Sequence, residues 1–386
     1  MKYLTLETFT DFACIGSECT FTCCQDWKIT IDEETDHFYQ SVEGEMGEQL
    51  KKCIHREDGN AWFVLRKEDG HCPFLNEKGL CNIYLTLGEE HLSETCTYYP
   101  RCMYYEGDIC FALVSISCPE SARLYLTHEE PLLIDFGEND DNTGVRQDTD
   151  WKLFNQAIRV FTTAVSIAQN REFSVKERIA IVILFVNGFQ GCVDERKDPS
   201  DLIGLYSNSD YYGAILDQTG IRTCDLESKV SFVTNMLFLF RDTEFLDQKL
   251  PELAEIIQFF SNPDHTSVDS KVWEDAFARA VSEENEIWRE NVLVYVLFKY
   301  LMTGLSGKDF YECLMTGIAS VLNMSTCITA LFDVMHGEAA SKDYIIMLVS
   351  RLSRIIEHNN TAGKTVSSFF KEKGFTAPGF VLRLIS

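Results

Sequence analysis

The stretch CIGSECTFTCCQDW, from Cys14 to Trp27, places four cysteines within eleven residues as C-x4-C-x3-C-C. Four more follow in short contexts: CPFL at Cys72, LCNIY at Cys81, TCTYYPR at Cys96 and SCPE at Cys118. A zinc site usually shows close pairs, often C-x2-C, because a short turn then presents both thiolates to one tetrahedral ion. This spacing is different. Adjacent cysteines such as Cys23 and Cys24 do not readily aim both sulfurs at one ion in extended chain, which brings in two centres or a multi-iron cluster. Iron–sulfur clusters take four thiolates, and a proline after a ligating cysteine, as in CPFL and SCPE, fits ferredoxin-type ligation. The pattern points to a metal. It leaves zinc and iron–sulfur open, with buried or paired thiols as the plain alternative.

Eleven of the fifteen cysteines lie at or before Cys118, and the other four are scattered among apolar residues. That shift divides the chain into a cysteine-rich metal-binding region over residues 1–130, an acidic linker or loop over 131–150, and a helical domain over 151–386. The linker reading rests on DFGENDDNTGVRQDTD, Asp135 to Asp150, which is nearly devoid of large apolar residues. The expected fold class is mainly α: a metal-binding region with few short strands, then an all-helical bundle.

Downstream, WKLFNQAIRVFTTAVSIAQ puts Trp151, Phe154, Ile158, Phe161 and Val165 on one helical face. SVKERIAIVILFVNGF opens with Ser174 and Glu177 in capping-box spacing, and its apolar run marks a central helix. Further helices are predicted in KVSFVTNMLFLFRD, in the stretch from Val272 to Gly304, and in KDYIIMLVSRLSRIIEHNN. In the first region, Trp62 to Lys67 reads as a strand, Cys102 to Cys118 as two strands turning at Glu106-Gly107-Asp108, and GEEHLSETC as a short helix. A metal replaces part of a core in so loop-rich a region.

The net charge of -26 excludes the basic footprint of a nucleic-acid or anionic-membrane binder. It suits a basic or lysine-bearing partner, or is simply a soluble surface. No apolar run reaches the ~18 residues of a bilayer span, with IAIVILFV and VLVYVLF the nearest. MKYLTLETFTDFACIG has acids and threonines where a secretory leader needs an apolar stretch. The expected address is cytoplasmic, and in that compartment crowded cysteines favour metal or redox chemistry over disulfides.

The segments FACIGSECTFTCCQDWKITID, CPFLNEKGLCNIYLTLGEEHLSETCTYYPR and SISCPESARLYL resemble, in order and spacing, the N-terminal half of the flagellin lysine-N-methylases, relatives of the cysteine-cluster proteins described as zinc- or iron-chelating. WRENVLVYVLFKYL resembles that family's C-terminal helix with its Glu-Asn-Tyr-like signature, although Val292 stands where an aromatic is expected and a Lys-Tyr pair replaces an arginine-rich ending. The resemblance implies a [4Fe-4S] cluster, S-adenosylmethionine as methyl donor and lysines of flagellin as acceptors. It assigns the metal-ligand positions to Cys14, Cys19, Cys23, Cys24, Cys72, Cys81, Cys96 and Cys118, and leaves Cys53, Cys102 and Cys110 as packing residues.

Methyl transfer to lysine needs a neutral amine, so the site must desolvate the ammonium or supply a base. Aromatic faces and carboxylates serve both the amine and a methylsulfonium. Trp27 beside Asp26, and Tyr99 with Tyr98 and Arg101, are candidates for the donor pocket, as are Glu290, Asn291 and Tyr295 on one helix; packing around a metal and a solvated helix edge are the plainer readings. His71 and His91 are candidate ligands or exposed loop histidines. No glycine-rich strand–turn–helix fingerprint is present, and no C-x3-C-x2-C triplet. Two rival readings stand beside the methylase: an iron–sulfur redox or electron-transfer protein, and a zinc-stabilised interaction module without catalysis.

Overall fold

The structure, a computed structural model, describes residues 2–19, 21–138, 149–219, 226, 229–233, 235, 251–261, 270–358 and 360–374. Its strands are short and fall into two sheets. One has the order β5 (Arg101–Glu106), β6 (Ile109–Val114), β1 (Lys2–Leu6) and β7 (Ile134–Glu138). The other has the order β2 (Thr30–Ile31), β4 (Asn60–Phe63) and β3 (Ile54–Glu57).

The β5–β6 hairpin forms where the sequence places it, with Glu106 opposite Ile109. Gly107 takes φ +59°, and a Cβ there would lie 2.3 Å from the Trp151 ring, so the turn needs glycine on two counts. Two strands depart from expectation. β1 runs parallel to β6 with Leu4 opposite Phe111, and β7 pairs antiparallel with β1. β7 therefore occupies part of the stretch read as linker: the free edge of β1 supplies hydrogen bonds that a local reading of Ile134–Glu138 does not contain. Residues 139–148, the rest of that stretch apart from Thr149 and Asp150, lie outside the described residues. β4 stops at Phe63, earlier than the predicted Lys67.

The sheet of β1 packs into the main apolar core. Leu4, Phe111, Leu113 and Val114 join Ala122 and Tyr125 of the Pro119–Thr127 helix and the buried faces of Trp151–Ala168, Val175–Asp194 and Glu283–Tyr300. In Val175–Asp194 the capping box is present, with Ser174 N donating to Glu177 Oε2 at 2.9 Å. Ile179 through Ile183 are fully buried, as the all-round apolar run requires. The helix runs on to Asp194.

The stretch from Val272 to Gly304 forms two helices, Ser270–Ala280 and Glu283–Tyr300, and then a short turn of helix to Ser306. KVSFVTNMLFLFRD falls mostly outside the described residues. One continuous helix, Phe310–His336, corrects the reading that no segment is long and apolar enough to cross a bilayer; it passes that test, but 83% of its apolar window is buried inside the protein. The sequence hides it because Ser320, Asn323, Ser325 and Thr326 interrupt the apolar run, and all four are buried against neighbouring helices. Gly317 lets it approach Glu283–Tyr300, since a Cβ would lie 2.6 Å from Val296 Cγ1.

A small separate core supports the second sheet. Ile29, Ile31, Tyr39, Leu50, Ile54, Phe63, Phe74 and Ile83 form it, with Cys72 buried inside and Cys24, Cys81, Cys96 and Trp27 packed against it. The cysteine-rich region thus has apolar packing of its own.

Candidate active site

The sequence-predicted thiols gather around Cys23. Its sulfur lies 3.9 Å from that of Cys24, and Cys72 N donates to Cys24 O at 2.6 Å. Cys24, Cys72, Cys81 and Cys96 are near enough for each to feel the Cys23 charge. Cys19 and Cys118 feel it as well, and Cys14 acts on Cys19. Two groups of thiols therefore meet at Cys23. Burial pushes Cys72, Cys96 and Cys118 up to about 12, so these thiols hold their protons near pH 7. Cys23 is held below the ordinary thiol value by its hydrogen bond with Cys24 and, against burial, by the Arg354 guanidinium. The named cysteines are all free, and among the described residues no three His, Cys, Asp or Glu groups are arranged to hold one metal ion. The donor set is present without a closed single-ion site.

The end of the Lys342–His358 helix covers these thiols. Arg354 donates from Nη1 to Thr22 O at 2.8 Å, and from Nη2 to Ser117 O at 3.2 Å and to Tyr99 Oη at 3.3 Å. Its guanidinium lies 4.1 Å from the centre of the Phe21 ring. His358 packs on Trp27 with ring centres 4.9 Å apart, and on Tyr99 at 5.6 Å. Trp27 and Tyr99 are themselves 5.2 Å apart, and Trp27 Nε1 donates to Cys23 O at 2.7 Å. His358 Nε2 and Ser117 Oγ share a hydrogen bond of 2.8 Å.

Beside this contact lies a cavity of about 680 Å³, lined by Cys102, Tyr104, Lys299, Tyr300, Ile356, Glu357 and His358 together with Thr303, Lys308, Asp309, Glu312, Cys313 and Thr316 of the neighbouring turn and helix. That is within the size range of small-molecule sites. One wall carries a buried ionic network. Glu357 accepts from Lys299 Nζ at 2.5 Å, from Tyr295 Oη at 2.9 Å and from Ser115 Oγ at 2.7 Å. Burial works against the Glu357 charge, but Lys299, His358 and the Ser115 hydrogen bond together hold its carboxyl below the usual value. Burial likewise opposes the Lys299 charge, which Glu357 and the nearby tyrosines keep well in place. Burial, and then the Lys299 charge, depress His358 to about 4, so its imidazole is neutral near pH 7.

Trp27, Tyr99 and Tyr295 therefore converge on this wall or its immediate support. The other predicted pocket residues are engaged elsewhere. Arg101 turns to Phe12, donating to its carbonyl at 3.3 Å, and Tyr98 is exposed. Glu290 is enclosed by Arg171, with 2.9 Å from Nη2, and by a closer contact to Arg178. Asn291 Nδ2 donates to Tyr125 O and His128 O, both at 2.8 Å, fastening the Pro119–Thr127 helix. His71 bonds Arg66 and Gln25, and His91 stacks on Phe38 at 4.0 Å. Asp26 accepts from Gln25 at 2.8 Å. Sequence reasoning missed Arg354, Glu357 and His358, and treated Cys102, which lines the cavity, as packing. The available signal was three charged or polar groups at i, i+3 and i+4 beside Ile355 and Ile356, on a helix whose apolar face is buried.

Residues 162–384, more than half of the chain, match the family model described as the FliB lysine N-methylase C-terminal domain. The chain is 32% identical over 143 residues to a flagellar biosynthetic protein FliU of Salmonella muenchen, covering 35% of this chain and 84% of that protein. It is 29% identical over 143 residues to lysine-N-methylases of Salmonella choleraesuis strain SC-B67 and Salmonella typhimurium strain LT2. Those two matches cover 35% of this chain and only 35% of each relative's length. No solved structure matches the chain.

Proposed function

Because the chain belongs to the FliB lysine N-methylase family, we propose that it is a cytoplasmic protein-lysine N-methyltransferase that uses S-adenosylmethionine, modifies flagellin and carries a [4Fe-4S] cluster on its N-terminal cysteines. The observation that carries this reading is one helix end, Arg354 to His358, which touches the thiol region, the Trp27–Tyr99 rings and the cavity together. S-adenosylmethionine, when bound, supplies a methyl group on a positively charged sulfur. The cavity wall suits a cation next to an amino acid: Tyr104 and Tyr300 offer ring faces, Asp309 and Glu312 negative charge, and Lys308 a partner for a carboxylate. The acceptor ammonium must lose a proton before its nitrogen attacks. The neutral imidazole of His358 and the carboxylate of Glu357 are acceptors at this wall, alongside Asp309 and Glu312.

An all-thiol donor set suits iron–sulfur chemistry. Cys23, Cys24, Cys72, Cys81 and Cys96 are the group from which the cluster's ligands would come; Cys14, Cys19 and Cys118 form the second group. Arg354 beside Cys23 offsets part of the negative charge that four thiolates bring.

The test is the absorbance spectrum and metal content of anaerobically purified protein, followed by transfer of labelled methyl to flagellin. Brown protein with iron and sulfide near about four each per chain is expected, with label on flagellin lysines. Colourless protein with stoichiometric zinc sinks the cluster; absence of transfer by metal-replete protein sinks the methylase. Cys23→Ala is expected to lose metal and transfer together.

A further inference from the structure

A second concave surface lies across the aromatic contact from the cavity. It is an open groove of about 570 Å³ lined by Trp27, Lys28, His55, Trp62, Val64 and Leu65, with Phe63 at its base. Its floor follows from strand alternation. Ala61 and Phe63 of β4 face the small core, so Trp62 faces outward, opposite Thr30 of β2 and His55 of β3. His55 packs on Trp62 at 4.5 Å, which fixes the indole against the sheet. The Lys28 ammonium sits 3.4 Å from the centre of the Trp62 ring. The groove thus already attracts a lysine side chain, one belonging to the protein itself.

Trp27 lines this groove, His358 lines the cavity, and their rings are 4.9 Å apart. The two linings thus touch through this pair of rings. We propose that the Trp27–Trp62 groove receives the side chain of a lysine from the acceptor protein, and that Lys28 holds its place in the free enzyme. This rests on the methylase reading for its biological meaning, but the recognition chemistry stands alone. An indole face attracts ammonium at every methylation state, because a methylated ammonium keeps its charge while becoming easier to desolvate. The acidic chain adds long-range attraction for a basic segment. Binding displaces Lys28, whose exposed side chain moves to solvent without breaking the small core.

The experiment uses the full chain and a flagellin-derived peptide with a single lysine, its trimethyl-lysine form, and the same peptide with norleucine in place of lysine. Affinity is read by calorimetry without a methyl donor. Lysine and trimethyl-lysine peptides are expected to bind, and the norleucine peptide to bind much more weakly. Lys28→Ala should tighten binding several-fold, and Trp62→Ala should weaken it by about ten-fold, with Trp62→Phe between. Equal binding of the norleucine peptide, no binding of any peptide, or unchanged affinity in both Lys28→Ala and Trp62→Phe overturns the proposal. The last pair keeps the test decisive if Trp62→Ala does not fold. Wild-type methylation rates in folded Trp62→Ala overturn the subsite and leave the methylase intact. Peptide binding by a wild-type enzyme that transfers no methyl does the reverse.

Discussion

The Glu283–Tyr300 helix carries a buried ionic cluster at each end, and the two ends behave differently. Near its start, Glu290 meets Arg171 and Arg178, and the Arg178 and Glu290 side chains are each only 1% exposed. Near its finish, Lys299 meets Glu357, but Lys299 is 12% exposed and both residues line the cavity. In the first cluster the Arg178–Glu290 pair is sealed, Arg178 also donating to Ala168 O at 2.8 Å, while Arg171, 36% exposed, closes it from the solvent side. The second uses similar charges and leaves one side open to a ligand-sized space. Accessibility, more than charge, separates a structural ion pair from one that can meet a substrate.

The sealed end gives the largest expected effect. Glu290→Ala leaves Arg178 buried without its closest partner, and should cost about 3–5 kcal/mol in urea unfolding. A loss below about 1 kcal/mol would make this end no more structural than a surface pair. At the open end, Glu357→Gln keeps the size of the side chain and an acceptor for Tyr295 and Ser115, but removes the charge facing Lys299 and His358. Methyl transfer per folded molecule should fall by about a hundred-fold. Unchanged transfer would place both ends in the same structural class.

Toward the open end, Gly317→Ala forces the facing helix away from Val296 and Tyr300. An overpacking cost of about 1–3 kcal/mol is expected, measured by the same unfolding experiment; a neutral result would mean the helices are less closely joined than the 2.6 Å approach implies. A separate test uses pH. His358 is depressed in the folded protein to about 4, from an ordinary value near 6.5. The unfolded chain therefore binds the extra proton first, and stability contributed by neutral His358 falls as pH drops from about 6.5 toward 4. His358→Asn should flatten that part of the acid limb relative to wild type. Parallel acid limbs would remove His358 from the buried contact.

Local structure was legible where the chain signals to itself. Ser174 and Glu177 mark a helix start through their mutual hydrogen bonds, and Gly107 marks a hairpin through its positive φ. The gathering of thiols was legible from spacing because Cys14 to Cys24 are close in the chain. The cavity was not. Its wall depends on Ser115 meeting Glu357 and Ser117 meeting His358, across 242 and 241 positions. β1 and β7 also pair across a long stretch of chain, Lys2 with Glu138 and Leu6 with Ile134, and neither strand announces its partner. Glu290 and Asn291 illustrate the opposite error of emphasis: polar residues on an apolar helix attract attention, but here they serve arginines and main-chain carbonyls.

The Arg354 contact also sets an order of events during synthesis. Thr22, whose carbonyl it caps, leaves the ribosome 332 residues earlier. At typical elongation rates of about 5–20 residues per second, the interval is roughly tens of seconds. Throughout it the cysteine cluster can fold around its own small core while its outer side still faces the surroundings. If those thiols carry the proposed cluster, this uncovered interval is when it would be loaded, before the Lys342–His358 helix arrives to cover them.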